Sequence, residues 1–189
     1  MSGAAPERAR ARPMTLSLYI LRHAKADSEA PAGRGDHERP LRPRGRRAAR
    51  AVGSFLTRLG EAPELVLSST AARAQQTAEL AGEEGGWKAP IRLSRAIYEA
   101  TPEALLGAIR ACSGEQRLLL VGHQPGLSQL VAELVGSEPA FPTAALARID
   151  FELHRWNELR RKDGRLVWLV TPDTIAVSET RRPVRDREE

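Results

Sequence analysis

Two arginines and two histidines stand where an α/β chain usually does its chemistry. Arg22 and His23 end the apolar run Leu16-Ser17-Leu18-Tyr19-Ile20-Leu21. Arg73 comes shortly after Leu65-Val66-Leu67-Ser68-Ser69, on the first turn of a helical pattern. His123 follows Leu118-Leu119-Leu120-Val121-Gly122. Each apolar run has the length and composition of a buried strand. In open α/β sheets, ligands sit beyond the carboxyl ends of the strands. Taken singly, each group has a structural explanation. Arg22-His23 is then the start of a solvated turn, Arg73 a surface helix residue beside Gln76 and Thr77, and His123 a helix cap. At successive strand ends they form a set, and the set suits a phosphoryl group. Guanidinium forks bind phosphate oxygens bidentately and stay charged. Imidazole attacks phosphorus and carries the phosphoryl group, which splits one displacement into two. A second, protonated imidazole stabilises the transferring oxygens. Phosphoryl transfer asks mainly for positioning and charge stabilisation. No Asp/Glu cluster suited to Mg²⁺ is evident, so the expected cations are side chains, with no metal and no cofactor. Helix N-termini after the strands add backbone N–H donors.

Alternating strands and helices must position these groups. Strands are expected at 16–22, 65–69, 118–121, 145–153 and 166–170, with an extended segment at 91–97. Apolar spacing of three and four residues predicts a helix over 44–59, stopped by Gly60. Further helices are expected over 71–84, capped by Ser69 or Thr70, over 101–112 with Pro102 at its first position, and over 125–135. The central strands are continuous apolar runs, which means burial on both faces and a mostly parallel sheet covered by helices. The fold class is therefore α/β, a three-layer α/β/α sandwich. The last two strands lie close in sequence and are expected to pair antiparallel at an edge. Residues 1–14 read as a disordered leader, 15–178 as a single domain and 179–189 as a charged mobile tail.

Composition narrows the functional classes. At 189 residues with 41% hydrophobic content, the chain is long enough for one core. No apolar run approaches the roughly 18 residues of a membrane span. The N-terminal residues lack the apolar stretch of a secretory signal, and a cytoplasmic location is the default expectation. Cys112, the lone cysteine, reads as core filler, and no Cys-x-x-Cys pattern exists. Basicity is concentrated in residues 1–50, where 12 Lys and Arg face 5 Asp and Glu. Nucleic-acid binding would call for interleaved aromatics, yet aromatics are 4% of the chain and Tyr19 stands alone in that region. A smaller anion such as phosphate is the better match for the positive field.

The motifs carry a further resemblance. Leu21-Arg22-His23-Ala24, Ser68-Ser69-Thr70-Ala71-Ala72-Arg73-Ala74-Gln75-Gln76-Thr77-Ala78 and Val121-Gly122-His123-Gln124-Pro125 together resemble the histidine phosphatase superfamily. Within it the chain is similar to the SixA-type phosphohistidine phosphatases. Asp36-His37-Glu38-Arg39-Pro40-Leu41-Arg42-Pro43-Arg44-Gly45, Ile97-Tyr98-Glu99-Ala100, Phe141-Pro142-Thr143-Ala144-Ala145-Leu146 and Trp168-Leu169-Val170-Thr171-Pro172 fit that narrower group. The resemblance spans about residues 16–173 and implies a phosphoglycerate mutase-like fold. It implies His23 as the nucleophile that becomes phosphorylated, Arg22 and Arg73 as phosphate-holding groups, and His123 as the residue completing the pocket. The usual Arg-His-Gly triplet is Arg-His-Ala here. Larger members carry an acidic residue that protonates the leaving oxygen; Glu99 lies near the expected place and Glu103 is the next candidate. Arg39 is a further candidate for the phosphate pocket, with a salt-bridged loop residue as its alternative. His37 and His154 are left structural or exposed.

The chemistry of the leaving group bears on the substrate. An imidazole leaves more readily than an alkoxide, so a phosphohistidine needs less acid assistance than a sugar phosphate. Connections between the motifs are short, and nothing resembles a long substrate-covering insertion. An open cleft suits phosphohistidine displayed on a protein, and the basic loop around Arg34, Arg39, Arg42 and Arg44 offers a surface to an acidic partner. The expected activity is metal-independent removal of phosphate from protein phosphohistidine, releasing inorganic phosphate, with no nucleic-acid or membrane partner. A small-molecule phosphomonoesterase acting on a sugar, nucleotide or cofactor phosphate is the alternative.

Overall fold

The computed structural model describes residues 14–180. All of the expected leader except Met14, and the tail beyond Thr180, lie outside the described residues. The elements in chain order are β1 (Met14–Arg22), α1 (Pro43–Arg58), β2 (Leu65–Ser69), α2 (Ala72–Gly85), β3 (Ile91–Ser94) and α3 (Pro102–Arg110). They continue with β4 (Arg117–Gly122), α4 (Gly126–Val135), β5 (Leu146–Leu153), β6 (Arg165–Val170) and α5 (Pro172–Thr180). The six strands form one sheet in the order β3-β2-β4-β1-β5-β6. β1, β2, β3 and β4 run parallel, while β5 and β6 join antiparallel on one side.

Strand alternation separates two cores, because successive side chains leave opposite faces of a sheet. Leu18, Ile20, Leu118 and Leu120 face α3 and α4, packing with Leu106, Ile109, Leu130 and Leu134. Tyr19, Leu21, Leu119 and Val121 face the other way and pack with Val52, Leu56, Ala78 and Ile175 from α1, α2 and α5. The result is a three-layer α/β/α sandwich of phosphoglycerate mutase-like fold. Cys112 is buried in the first core. Among the described residues, no helix is long and apolar enough to cross a membrane.

Several local expectations need adjusting. The extended segment is shorter than 91–97, because β3 stops at Ser94 and Arg95–Ile97 form a 3-10 turn. The N-cap of α2 is Ala71, and neither serine nor threonine caps it directly. Instead the Ala71 N–H donates to Ser69 Oγ at 3.2 Å, while Thr70 pairs with His37. Helix α5 has no counterpart in the sequence reading, which took Thr171-Pro172 only as the end of a strand. Pro172 occupies the first helical position, a common start, and Ile175 anchors the helix in the second core. Met14 opens β1 instead of closing a leader, and Glu179 and Thr180 close α5.

Helices α1 and α2 cross closely over the sheet. A Cβ at Gly53 of α1 would overlap the carbonyl oxygen of Ala81 on α2. Gly53→Ala is therefore expected to destabilise the fold by about 1–3 kcal/mol through overpacking, read as a lowered denaturant midpoint with an unchanged m-value.

Candidate active site

The parallel register of β1 and β4 aligns Arg22 with Gly122, and the His23 N–H continues the ladder to the Gly122 carbonyl at 3.0 Å. His23 and His123 thereby leave adjacent strands at the same level, with ring centroids 5.1 Å apart. Arg22 is tied down by donating from Nη1 to the Phe141 carbonyl at 2.9 Å, and Gln124 Nε2 donates to the same oxygen at 3.2 Å. Phe141 is itself a core residue, so both side chains hang from a fixed point. Ala24, where the family pattern has glycine, is fully buried and packs among Leu41, Ala49 and Ala144. Its methyl fills core space and takes nothing from the pocket.

Arg73 enters from the first turn of α2 and is only 4% exposed. A buried guanidinium needs partners. Asp36 supplies two: Arg73 Nη1 donates to its backbone carbonyl at 2.8 Å, and Nη2 lies 3.0 Å from Oδ2. The same carboxylate pairs with Arg39 Nε at 2.7 Å through Oδ1 and accepts from the Tyr98 hydroxyl at 3.1 Å. Partial burial raises the Asp36 carboxyl, but Arg73, the Tyr98 hydroxyl and Arg39 together outweigh it and hold the group below the usual carboxylate range. The Thr77 hydroxyl adds a second link, donating to the Arg73 carbonyl at 2.6 Å and accepting from the Ala24 N–H at 3.0 Å. Helix α2 is thus fastened to the residue that follows His23.

The two imidazoles are held in defined states. His23 Nδ1 lies 2.8 Å from the Ala24 carbonyl. A carbonyl only accepts, so Nδ1 carries the proton and Nε2 keeps its lone pair. Burial, with the charges of Arg73, Arg22 and Arg39, lowers the His23 pKa to about 4 against the support of the Ala24 hydrogen bond. His123 Nε2 pairs with Ser69 Oγ at 2.8 Å, while its buried Nδ1 has no hydrogen-bond partner. Ser69 Oγ also accepts from the Ala71 N–H, and its hydroxyl keeps both a proton and a second lone pair with which to meet Nε2. Burial first, then His23 and Arg73, lowers the His123 pKa to about 3.

Arg22, His23, Arg39, Arg73, Glu99 and His123 line one cavity of about 280 Å³. Glu99 stands at its edge, exposed and with φ of 51°, a left-handed conformation uncommon outside glycine. It is flanked by Tyr98, which Asp36 anchors, and by Ala100, against which Gly126 packs so closely that a Cβ there would overlap the Ala100 carbonyl. Glu103 is elsewhere, paired with Arg110 and Arg161. Arg39 combines both of its sequence readings, as it is salt-bridged to Asp36 and also lines the cavity. His154 lines a different cavity, beside Cys112 and Trp156. His37 pairs with Thr70 Oγ1 at 2.9 Å and sets its ring against Tyr98 at 4.9 Å, a supporting position.

Sequence reasoning passed over Lys25, Gln124 and Thr143 as lining residues and Asp36 and Tyr98 as the frame. For all of these except Lys25, which follows the first motif directly, the one available signal was membership of the quoted motif segments. Among the described residues, no group of three or more His, Cys, Asp or Glu side chains is placed to hold a metal ion. Chemically, the cavity offers the free Nε2 of His23, a second imidazole and three guanidinium groups to a tetrahedral oxyanion.

Two consequences are measurable. Removing the Asp36 carboxylate frees Arg73 and Arg39, so Asp36→Ala is expected to raise KM for a phosphorylated substrate on the order of tenfold, with a smaller change in kcat. Both imidazoles take up protons at higher pH in the unfolded chain, where the usual value is about 6.5, than in the folded one. Their stabilising contribution is complete above about pH 6.5 and is lost as pH falls toward the lowered folded values of about 4 and 3. The melting temperature should fall over that interval, and His123→Gln should flatten the fall.

Comparison with known proteins identifies the family. The family model of the histidine phosphatase superfamily (branch 1) matches residues 18–107. An uncharacterised protein of Mycobacterium leprae is 34% identical over 165 residues, covering 80% of this chain and 99% of the relative. Phosphohistidine phosphatase SixA of Escherichia coli is 26% identical over 172 residues, covering 87% of this chain and 99% of that protein. A structure of the protein histidine phosphatase SixA complexed with tungstate superposes with a TM-score of 0.73 at 25% identity, covering 84% of this chain and 98% of that one. With its fold, its paired strand-end histidines and these relatives in agreement, the chain belongs to the histidine phosphatase superfamily and has SixA proteins among its structural neighbours.

Proposed function

We propose that the protein is a metal-independent phosphatase that works through a covalent phosphohistidine on His23 and acts on phosphohistidine carried by a protein. The observation that carries this reading is the state of His23. Its Nδ1 proton is committed to the Ala24 carbonyl, so Nε2 offers a lone pair beside Arg22, Arg39 and Arg73. In the first step Nε2 attacks phosphorus in line, the P–N bond to the substrate imidazole breaks, and that nitrogen takes up a proton. In the second step water attacks the phosphoenzyme, His23 is restored as a neutral imidazole, and inorganic phosphate leaves. Arg22 and Arg73 hold the equatorial oxygens, Arg39 contributes from the loop, and His123 completes the pocket around the transferring group.

Substrate class follows from the leaving group. Glu99 is exposed at the cavity edge, a place from which it assists departure without being buried against the reacting atoms. An imidazole needs little such help. Support also comes from the E. coli relative named phosphohistidine phosphatase and from the neighbour that holds tungstate, a tetrahedral oxyanion.

The test compares a phosphohistidine-bearing protein with alkyl phosphates. Wild type should form an acid-labile phosphoenzyme, and His23→Ala should lose it together with on the order of a thousandfold or more in turnover. An acid-labile phosphoenzyme persisting in His23→Ala would sink the mechanism. Glu99→Gln should change phosphohistidine turnover by less than about threefold, while any alkyl phosphate activity falls on the order of a hundredfold. Strong wild-type preference for an alkyl phosphate would transfer the assignment to a small-molecule phosphomonoesterase.

A further inference from the structure

The phosphate cavity continues sideways. At Lys25 and Thr143 it adjoins a second cleft of about 420 Å³, within the usual range for ligand sites. Arg44, Thr171 and Asp173 line that cleft together with these two residues. Its walls come from the β1–α1 loop, the opening turn of α1, the loop before β5 and the start of α5.

Two cations of this cleft are in no ion pair among the described residues. Three arginines of the same segment are engaged, Arg39 with Asp36, Arg42 with Asp27 and Arg50 with Glu83, while Arg34, Arg46 and Arg47 lie outside this cleft. Lys25 and Arg44 are exposed and form no ion pair among the described residues, and the first turn of α1 contains no acidic residue. Backbone packing nevertheless keeps the two together. The Arg42 N–H donates to the Lys25 carbonyl at 2.9 Å, and buried Gly45 lies so close that a Cβ would overlap that same oxygen. Asp173, the carboxylate in this lining, stands in the first turn of α5, where a helix N-terminus favours negative charge.

We propose that this cleft is a docking subsite for an acidic segment flanking the phosphohistidine of a protein substrate; the assignment rests on the phosphoprotein reading above. Continuity is the first argument. A residue a few positions from a phosphohistidine seated between Arg22 and Arg73 needs only about 3.3–3.6 Å per residue to reach the neighbouring cleft. Charge is the second. Two adjacent unpaired cations at the mouth of an already cationic pocket favour carboxylates and speed their encounter, with a strong dependence on ionic strength. Asp173 opposes such a ligand and sets a limit on its affinity.

The direct test is fluorescence anisotropy with a fluorescein-labelled hexaglutamate peptide. Wild type should bind it in a salt-sensitive manner, Arg44→Glu should weaken binding on the order of tenfold, and Asp173→Asn should tighten it. Equal affinity across the three proteins overturns the proposal. Kinetics supply the second arm. Arg44→Glu should lower kcat/KM for an acidic-flanked phosphohistidine protein on the order of tenfold through KM, while free phosphohistidine changes by less than about twofold. Equal losses on both substrates, or a loss confined to small carboxylate-bearing phosphoesters, overturn the assignment. Arg44-dependent peptide binding by an enzyme that leaves phosphohistidine intact keeps the acidic-segment site and removes the phosphohistidine reading.

Discussion

Arg73 is a full positive charge placed almost entirely out of water, and the site is organised by the need to compensate it. Asp36 does so with both its backbone carbonyl and its carboxylate. Because the same carboxylate also takes Arg39 and the Tyr98 hydroxyl, one acidic side chain fastens the β1–α1 loop to α2 and to the segment before α3. The arrangement leaves Arg73 Nε buried and without a protein partner. A guanidinium held from one edge is oriented in advance, which in the proposed reaction is what a phosphoryl group requires of its donors.

The same cluster of cations decides the protonation of the histidines. Positive neighbours and burial act in one direction on an imidazole, toward the neutral form. His23 is therefore a neutral imidazole at ordinary pH, with its Nδ1 proton oriented by a main-chain carbonyl. His123 is oriented by Ser69, which is in turn fixed by the turn into α2. Two neutral rings between guanidinium groups make a site that gains charge balance when an anion arrives. In the proposed reaction, phosphoryl recognition and the state of the nucleophile draw on one electrostatic field.

The sequence by itself determined most of the elements and the principal chemical groups, because both are written in local patterns. Apolar runs of strand length, helical spacing in α1 and the glycines after α1 and α2 come from short-range physics. So does the occurrence of Arg22-His23, Arg73 and His123 at strand ends, which a parallel sheet brings to one edge. Antiparallel pairing of β5 with β6 followed from their closeness in the chain. Tertiary structure alone decided the rest. Asp36 is paired with Arg73, 37 residues away in sequence, and only the folded loop places them in contact. Glu99 reaches the cavity while Glu103 does not, because a left-handed residue turns the chain there and Glu103 is drawn off by Arg110 and Arg161. Helix α5 was illegible because its stability comes from burying Ile175 against a core built by distant strands, not from a periodic pattern of its own. Local sequence specifies which groups are available; long-range packing and charge compensation specify which of them meet.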